Sequence, residues 1–199
     1  MSEANGNSLH SLVGLSGFRC IVADPPWRVL RPSGWGKHNH HPSVELLPYR
    51  TLSVTDIAAM PMSMVSANRC HLYLWTINKH IESAYTVARS WGFTPSTLLV
   101  WAKTPRGMGL GGHYALTTEF CLFARKGKDG PKSTQNRINT TWWNWCRGRH
   151  SARPEAFQDM VETVSPGPYL ELFARRPRLN WTVWGNEVEA NKTITNTST

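Results

Sequence analysis

Along this chain, short apolar runs alternate with segments whose apolar residues recur at helical spacing. Residues 18–23, Phe-Arg-Cys-Ile-Val-Ala, form one such run, which ends in Asp24-Pro25-Pro26-Trp27. Proline lacks the N–H that a central strand donates, so the strand stops there. Residues 71–76, 97–102, 119–124, 169–174 and 181–184 are further strand-length runs. Between 79 and 91, Ile81, Ala84, Tyr85, Ala88 and Trp91 keep a helical period. Pro154 opens a second helix with Phe157, Met160, Val161 and Val164 on one face. Strands alternating with helices predict an α/β domain, with a mostly parallel sheet and helices on both faces. The expected organisation is an N-terminal segment over 1–17, one domain over 18–189, and a polar, disordered tail over 190–199.

Three stretches, about 28–50, 103–118 and 126–152, show no regular period. Loops of that length in a compact domain are functional or disordered. They also hold most of the charge. The 199 residues carry a net charge of +9, and the segment 99–150 has nine Lys and Arg against Glu119 and Asp129, a net +7. Trp142, Trp143 and Trp145 are interleaved with these cations. Cations with aromatics suit a single-stranded nucleic acid, phosphates on one and bases on the other; the alternative is a solvated basic face.

Composition excludes several classes. With 40% hydrophobic and 18% charged residues, the chain is not of disordered composition. No apolar run reaches the about 18 residues a membrane span needs, and the start is no signal peptide, so a cytoplasmic protein of a bacterial or phage-infected cell is expected. Cys20, Cys70, Cys121 and Cys146 lie far apart without a CxxC pair, which predicts free thiols rather than disulfides or zinc ligands. His38-Asn39-His40-His41 has no carboxylate or Cys at ligand spacing, and reads as a loop rather than a metal site.

Asp24-Pro25-Pro26-Trp27 carries the candidate chemistry. It follows a buried strand, and ligands of open α/β sheets bind at carboxyl ends of strands. Asp24 is an acceptor, the prolines expose carbonyls, and Trp27 offers a flat ring. Two acceptors beside an aromatic plate suit an exocyclic amine on a planar base, adenine N6 or cytosine N4. A strand that simply ends in a proline turn with a Trp packed behind it is the alternative.

Further residues occur in a fixed order: Leu-Pro-Tyr-Arg-Thr-Leu-Ser at 47–53, Gly-Gly-His-Tyr at 111–114 followed by Glu119, and His-Ser-Ala-Arg-Pro-Glu at 150–155. Ser-Pro-Gly at 165–167, Glu-Leu-Phe-Ala-Arg at 171–175, Asn-Trp at 180–181 and Trp-Gly-Asn-Glu at 184–187 complete the set. With Ala-Asp-Pro-Pro-Trp at 23–27, the chain resembles the MT-A70 family of adenine methyltransferases over about residues 18–188. The resemblance implies a Rossmann-like fold, binding of S-adenosylmethionine, and a catalytic motif that precedes the cofactor motif. It makes Gly107–Gly112 a substrate-side loop, not a phosphate loop.

By the same resemblance, Asp24 and the Pro25 carbonyl accept the target amine's N–H groups, with Pro26 and Trp27 completing the catalytic motif. Asp24, Arg153, Glu171, Phe173, Arg175, Asn186 and Glu187 are the cofactor candidates, with Glu171 on the ribose hydroxyls. Relatives carry Lys in place of Arg153 and Gln in place of Glu187. Trp27, Tyr49, Lys103, Arg106 and His113 are the substrate candidates, and no metal is implied. The absence of room for a zinc-finger region motivates DNA rather than RNA as substrate; an RNA methyltransferase or a catalytically weak nucleic-acid-binding subunit is the alternative. A monomer and a homodimer are both compatible with the chain.

Overall fold

The computed structural model describes residues 17–28, 51–103, 113–128, 137–146 and 153–185. Seven strands form one sheet: β1 Phe18–Ala23, β2 Ser66–Thr76, β3 Thr94–Ala102, β4 Thr118–Lys126, β5 Trp142–Trp143, β6 Tyr169–Leu172 and β7 Trp181–Trp184. Their order is β5-β3-β4-β2-β1-β6-β7. Only β4 runs against the rest, being antiparallel to both β2 and β3. The mostly parallel α/β sheet expected from the sequence is therefore present.

Helices cover both faces. Helix α1 (Val54–Ala58), α2 (Met62–Val65) and α3 (Ile81–Ser90) follow β1 or β2. Their Ile57, Met62, Ala84 and Val87 pack on Ile21, Leu72, Leu74 and Leu170. Helix α4 (Glu155–Val164) lies on the other face, where Phe157, Met160 and Val161 meet Val22, Tyr73, Trp75, Trp101 and Trp181. The period-2 alternation of each strand sorts its residues between these two cores. Ser53 caps α1 reciprocally with Asp56, a contribution of about 1 kcal/mol.

Cys20, Cys70 and Cys121 are buried and Cys146 is exposed. No helix among the described residues is long and apolar enough to cross a membrane.

Among the described residues, the cations of 99–150 are divided between the two ends of the sheet. Because β4 runs backwards, its Thr118 end pairs with Ala102 and its Lys126 end with Cys70. Arg125, Lys126 and Lys128 consequently sit at the amino-end edge of the parallel strands, away from Asp24. Trp143 and Trp145 differ from expectation. They stack on each other at 5.2 Å and pack on the α4 core, while Trp142 stays exposed.

Candidate active site

The carboxyl end of β1 lies between those of β2 and β6. Helices on opposite faces follow β1 and precede β6, and a crevice opens in an α/β sheet where connections diverge in this way. Cys20 and Val22 face α4, so Asp24, two positions on, continues that face. Glu171 pairs with Val22 and shares it.

The Asp24-Pro25-Pro26-Trp27 turn is tightly fixed. The Asp24 N–H donates to the Leu172 carbonyl at 3.3 Å, the Trp27 N–H to Pro25 O at 2.8 Å, and the Leu52 N–H to Pro26 O at 2.9 Å. The Pro26 carbonyl, expected to point outward, is thus engaged by Leu52. Pro25 O keeps its second lone pair. Trp27 is 5% exposed, donates its Nε1–H to Trp75 O at 2.9 Å, and stacks on His80 with centroids 5.3 Å apart. His80 Nε2 in turn lies 2.9 Å from Arg28 O. Trp27 is an anchor of this turn with one face covered, not the free plate the sequence suggested.

Four charged side chains alternate in sign across the α4 face of the sheet's carboxyl end. Arg153 donates to Asp24 Oδ1 at 2.6 Å. Its other terminal nitrogen pairs with Glu119, and Lys103 pairs with that same carboxylate. The four side chains are only 15–18% exposed. Arg153 also lies over the Trp75 ring at 4.5 Å and Lys103 near the Trp101 ring at 5.6 Å. Lys103, a substrate candidate, is tied to Glu119. Arg153, expected on the cofactor, bridges two carboxylates.

Glu171 is the second chemical feature. Burial pushes its carboxyl up to about 7, against a weaker opposing effect of the hydrogen bond from Gln158 Nε2 to Oε2 at 2.8 Å. Nearby Asp24 also raises it, which places the two carboxyls within electrostatic reach. A partly buried carboxylate with a raised pKa gains from any pair of donors, and a ribose diol supplies two. The residues present therefore fit the ribose of S-adenosylmethionine.

Phe173 follows at φ 62 and packs edge-on against Trp184 at 5.5 Å. A bulky residue with left-handed backbone is uncommon, and such positions cluster at functional sites. The Ala174 N–H donates to Trp184 O at 3.0 Å, and a Cβ on Gly185 would fall 2.2 Å from Ala174 O. That close approach requires glycine immediately before Asn186 and Glu187.

The sequence reading missed a stripe along α4. Arg176 donates to Glu155 and Gln158, and Arg178 to Asp159 and Glu162, which strap the segment after β6 onto the helix. Gln158 thereby connects Arg176 to Glu171. The spacing 155, 158/159, 162 against Arg175-Arg-Pro-Arg178 is a signal that the sequence contained.

Arg175 and His113 are exposed. Tyr49, Arg106, Asn186 and Glu187 lie outside the described residues, as do the His38–His41 cluster, the Gly107–Gly112 stretch and the tail. Among the described residues no group of three His, Cys, Asp or Glu could hold a metal ion.

Comparison with known proteins agrees with this architecture. The MT-A70 family matches residues 18–187. The type II methyltransferase M.MunI of Mycoplasma sp is 30% identical over 190 residues, covering 88% of this chain and 79% of that protein. An N(6)-adenosine-methyltransferase MT-A70-like protein of Drosophila melanogaster is 24% identical over 90% of this chain and 28% of its own length. The catalytic subunit METTL3 of Homo sapiens is 25% identical over 88% of this chain, which spans 29% of that protein. With its Asp24-Pro25-Pro26-Trp27 turn after β1 and its partly buried Glu171 on the adjacent β6, the chain belongs to the MT-A70 family of S-adenosylmethionine-dependent methyltransferases.

Proposed function

We propose that this chain methylates the N6 amine of adenine in DNA. The observation that carries the reading is the pairing of Asp24, held by Arg153 at 2.6 Å, with a Pro25 carbonyl that retains a lone pair. An exocyclic amine has two N–H donors, and these are two acceptors on adjacent residues. Accepting both hydrogens turns the nitrogen lone pair away from them and toward the methyl donor. When bound, S-adenosylmethionine supplies an electrophilic methyl carbon; the N–C bond forms as the C–S bond breaks, with its electron pair left on sulfur.

The chain's own contribution is orientation and charge. Alignment within a fixed site is the largest effect available to an in-line transfer. The amine becomes cationic as it is methylated, and Asp24 stabilises that charge and accepts the released proton. Glu171 binds the ribose hydroxyls, Phe173 and Arg175 line the adenosine, and Asn186 and Glu187 complete the cofactor site. Arg153 orients Asp24 and would pair with the cofactor's own carboxylate. Tyr49, Arg106 and His113 contact the substrate, while Lys103 and Glu119 set the position of Arg153.

DNA is favoured over RNA by the type II relative, of which this chain covers 79%, whereas the N(6)-adenosine-methyltransferases are covered over 28–29% of their lengths. Modified-base sequencing of DNA and RNA from cells that express wild type or Asp24→Ala tests this. N6-methyladenine in DNA that disappears with Asp24→Ala supports the reading; the same mark confined to RNA overturns the choice of polymer.

A further inference from the structure

We infer that Trp142 is a stacking platform for an unpaired base that flanks the target on the same strand. The inference rests on the nucleic-acid reading above and assigns it a contact. Strand β5 is the sheet's outer edge, and its Trp142 and Trp143 pair with Val100 and Trp101 at the carboxyl end of β3. This is the end of the sheet that holds Asp24. Trp143 turns to the α4 face and is used up in packing against Trp145 and the core, and Trp145 O accepts from Trp101 Nε1 at 2.9 Å. Trp142, on the opposite face, is 59% exposed. Thr140 holds its backbone through two hydrogen bonds, Trp142 N–H to Thr140 Oγ1 at 3.2 Å and Thr140 Oγ1–H to Trp142 O at 3.0 Å. A large apolar ring on a pinned backbone costs little entropy when it stacks.

The surroundings fit a polyanion. Tyr114, 85% exposed, lies just ahead of β4, whose Thr118 pairs with Ala102 at the same end. In sequence, the stretch 130–149 that contains Trp142 holds Lys132, Arg137, Arg147 and Arg149 and no Asp or Glu, and Arg137 is exposed. A protein partner with an apolar face would not require such an acid-free border. Exposed aromatics within a cationic field bind single strands, because every base has a face to stack and every link carries a phosphate. A base held in a duplex has no free face, so the platform selects unpaired nucleotides around the target.

The test measures anisotropy of a labelled 12-nucleotide single-stranded DNA with one adenine, alongside methylation of the same strand. Trp142→Ala is expected to weaken binding and raise KM about tenfold, a typical stacking loss per base, with kcat changed less than twofold. Trp142→Phe should recover most of the loss. Met64→Ala, at an apolar residue 46% exposed ahead of β2 at the other end of the sheet, should change neither quantity. Abasic sites scanned along the strand should weaken wild type at one flanking position and leave Trp142→Ala unaffected there. Equal binding by wild type and Trp142→Ala overturns the inference, as does a change confined to oligomeric state on gel filtration, which would mark a protein interface. If the strand binds in a Trp142-dependent way but no adenine is methylated, the functional reading fails and the platform stands.

Discussion

Arg153 holds Asp24 with a 2.6 Å hydrogen bond and pairs at the same time with Glu119. One guanidinium thus sets the orientation of the Asp24 carboxylate and keeps a second carboxylate from repelling it. A planar fork spans two carboxylates in a way that an ammonium cannot. Arg153→Ala leaves two largely buried carboxylates without their shared partner, with an expected loss of about 3 kcal/mol in stability. Arg153→Lys should recover part of that stability while kcat stays low. Asp24→Asn should reduce kcat by about 100-fold, because the amide keeps an acceptor but loses the charge that stabilises the methylated amine and takes its proton, while DNA affinity changes little. Denaturant melts paired with steady-state kinetics separate these effects; full activity of Asp24→Asn would contradict the assignment.

The proposed contact of Glu171 with the ribose predicts pH-dependent cofactor binding. The Glu171 carboxyl is pushed up to about 7 in the folded chain, and donation from ribose hydroxyls favours the ionised form. Binding therefore releases a proton near neutrality, and affinity should rise about tenfold from pH 6 to pH 8. Calorimetry in two buffers of different ionisation enthalpy reads the proton directly. Glu171→Gln should bind more weakly with no buffer dependence. A wild-type signal independent of the buffer would remove Glu171 from the ribose.

Acid stability reports on a different part of the molecule. His71 and Tyr73 both lie within hydrogen-bond distance of Ser165 Oγ, at 2.8 and 2.9 Å. Burial lowers the His71 pKa from 6.5 to about 4, assisted by Arg125 and Arg19. The unfolded chain binds this proton below pH 6.5 and the folded chain does not until about pH 4, so stability falls as pH drops through that window. Glu171 works in the opposite sense, since its raised pKa withdraws stability as pH rises from 4.5 to about 7. The difference between wild type and His71→Gln cancels that contribution. It should shrink by about 3 kcal/mol from pH 7 to pH 4. A flat difference profile would show that His71 is not held neutral.

Trp27 separates an anchoring role from base stacking. Trp27→Phe keeps a ring against His80 and removes the donor to Trp75 O. A lost buried hydrogen bond costs about 1 kcal/mol, and the turn that carries Asp24 loosens. The expected pattern is lower thermal stability and lower kcat with DNA affinity unchanged. Unchanged stability with a raised KM for DNA would instead put the ring on the substrate.

The strands and the two longer helices were legible because each buries a face, and burial imposes a period. Strand β5 and helix α1 were not, since two and five residues carry no clear period. Chain direction was the larger gap. The run 119–124 looks the same in either direction, and only the reversed β4 reveals that Arg125, Lys126 and Lys128 leave the site. Asp24 stood out at the end of an apolar run, and Glu171 became a candidate through the family resemblance. The joining of Lys103, Glu119 and Arg153 could not be read, because it depends on which strands become neighbours.

The central claim is methyl transfer to adenine N6 under the control of Asp24. Its most direct test is incubation of the purified chain with methyl-labelled S-adenosylmethionine and adenine-containing DNA, followed by nucleoside analysis. The account predicts label in N6-methyladenine with wild type and none with Asp24→Ala. Label in cytosine, or equal label in adenine with Asp24→Ala, would contradict it.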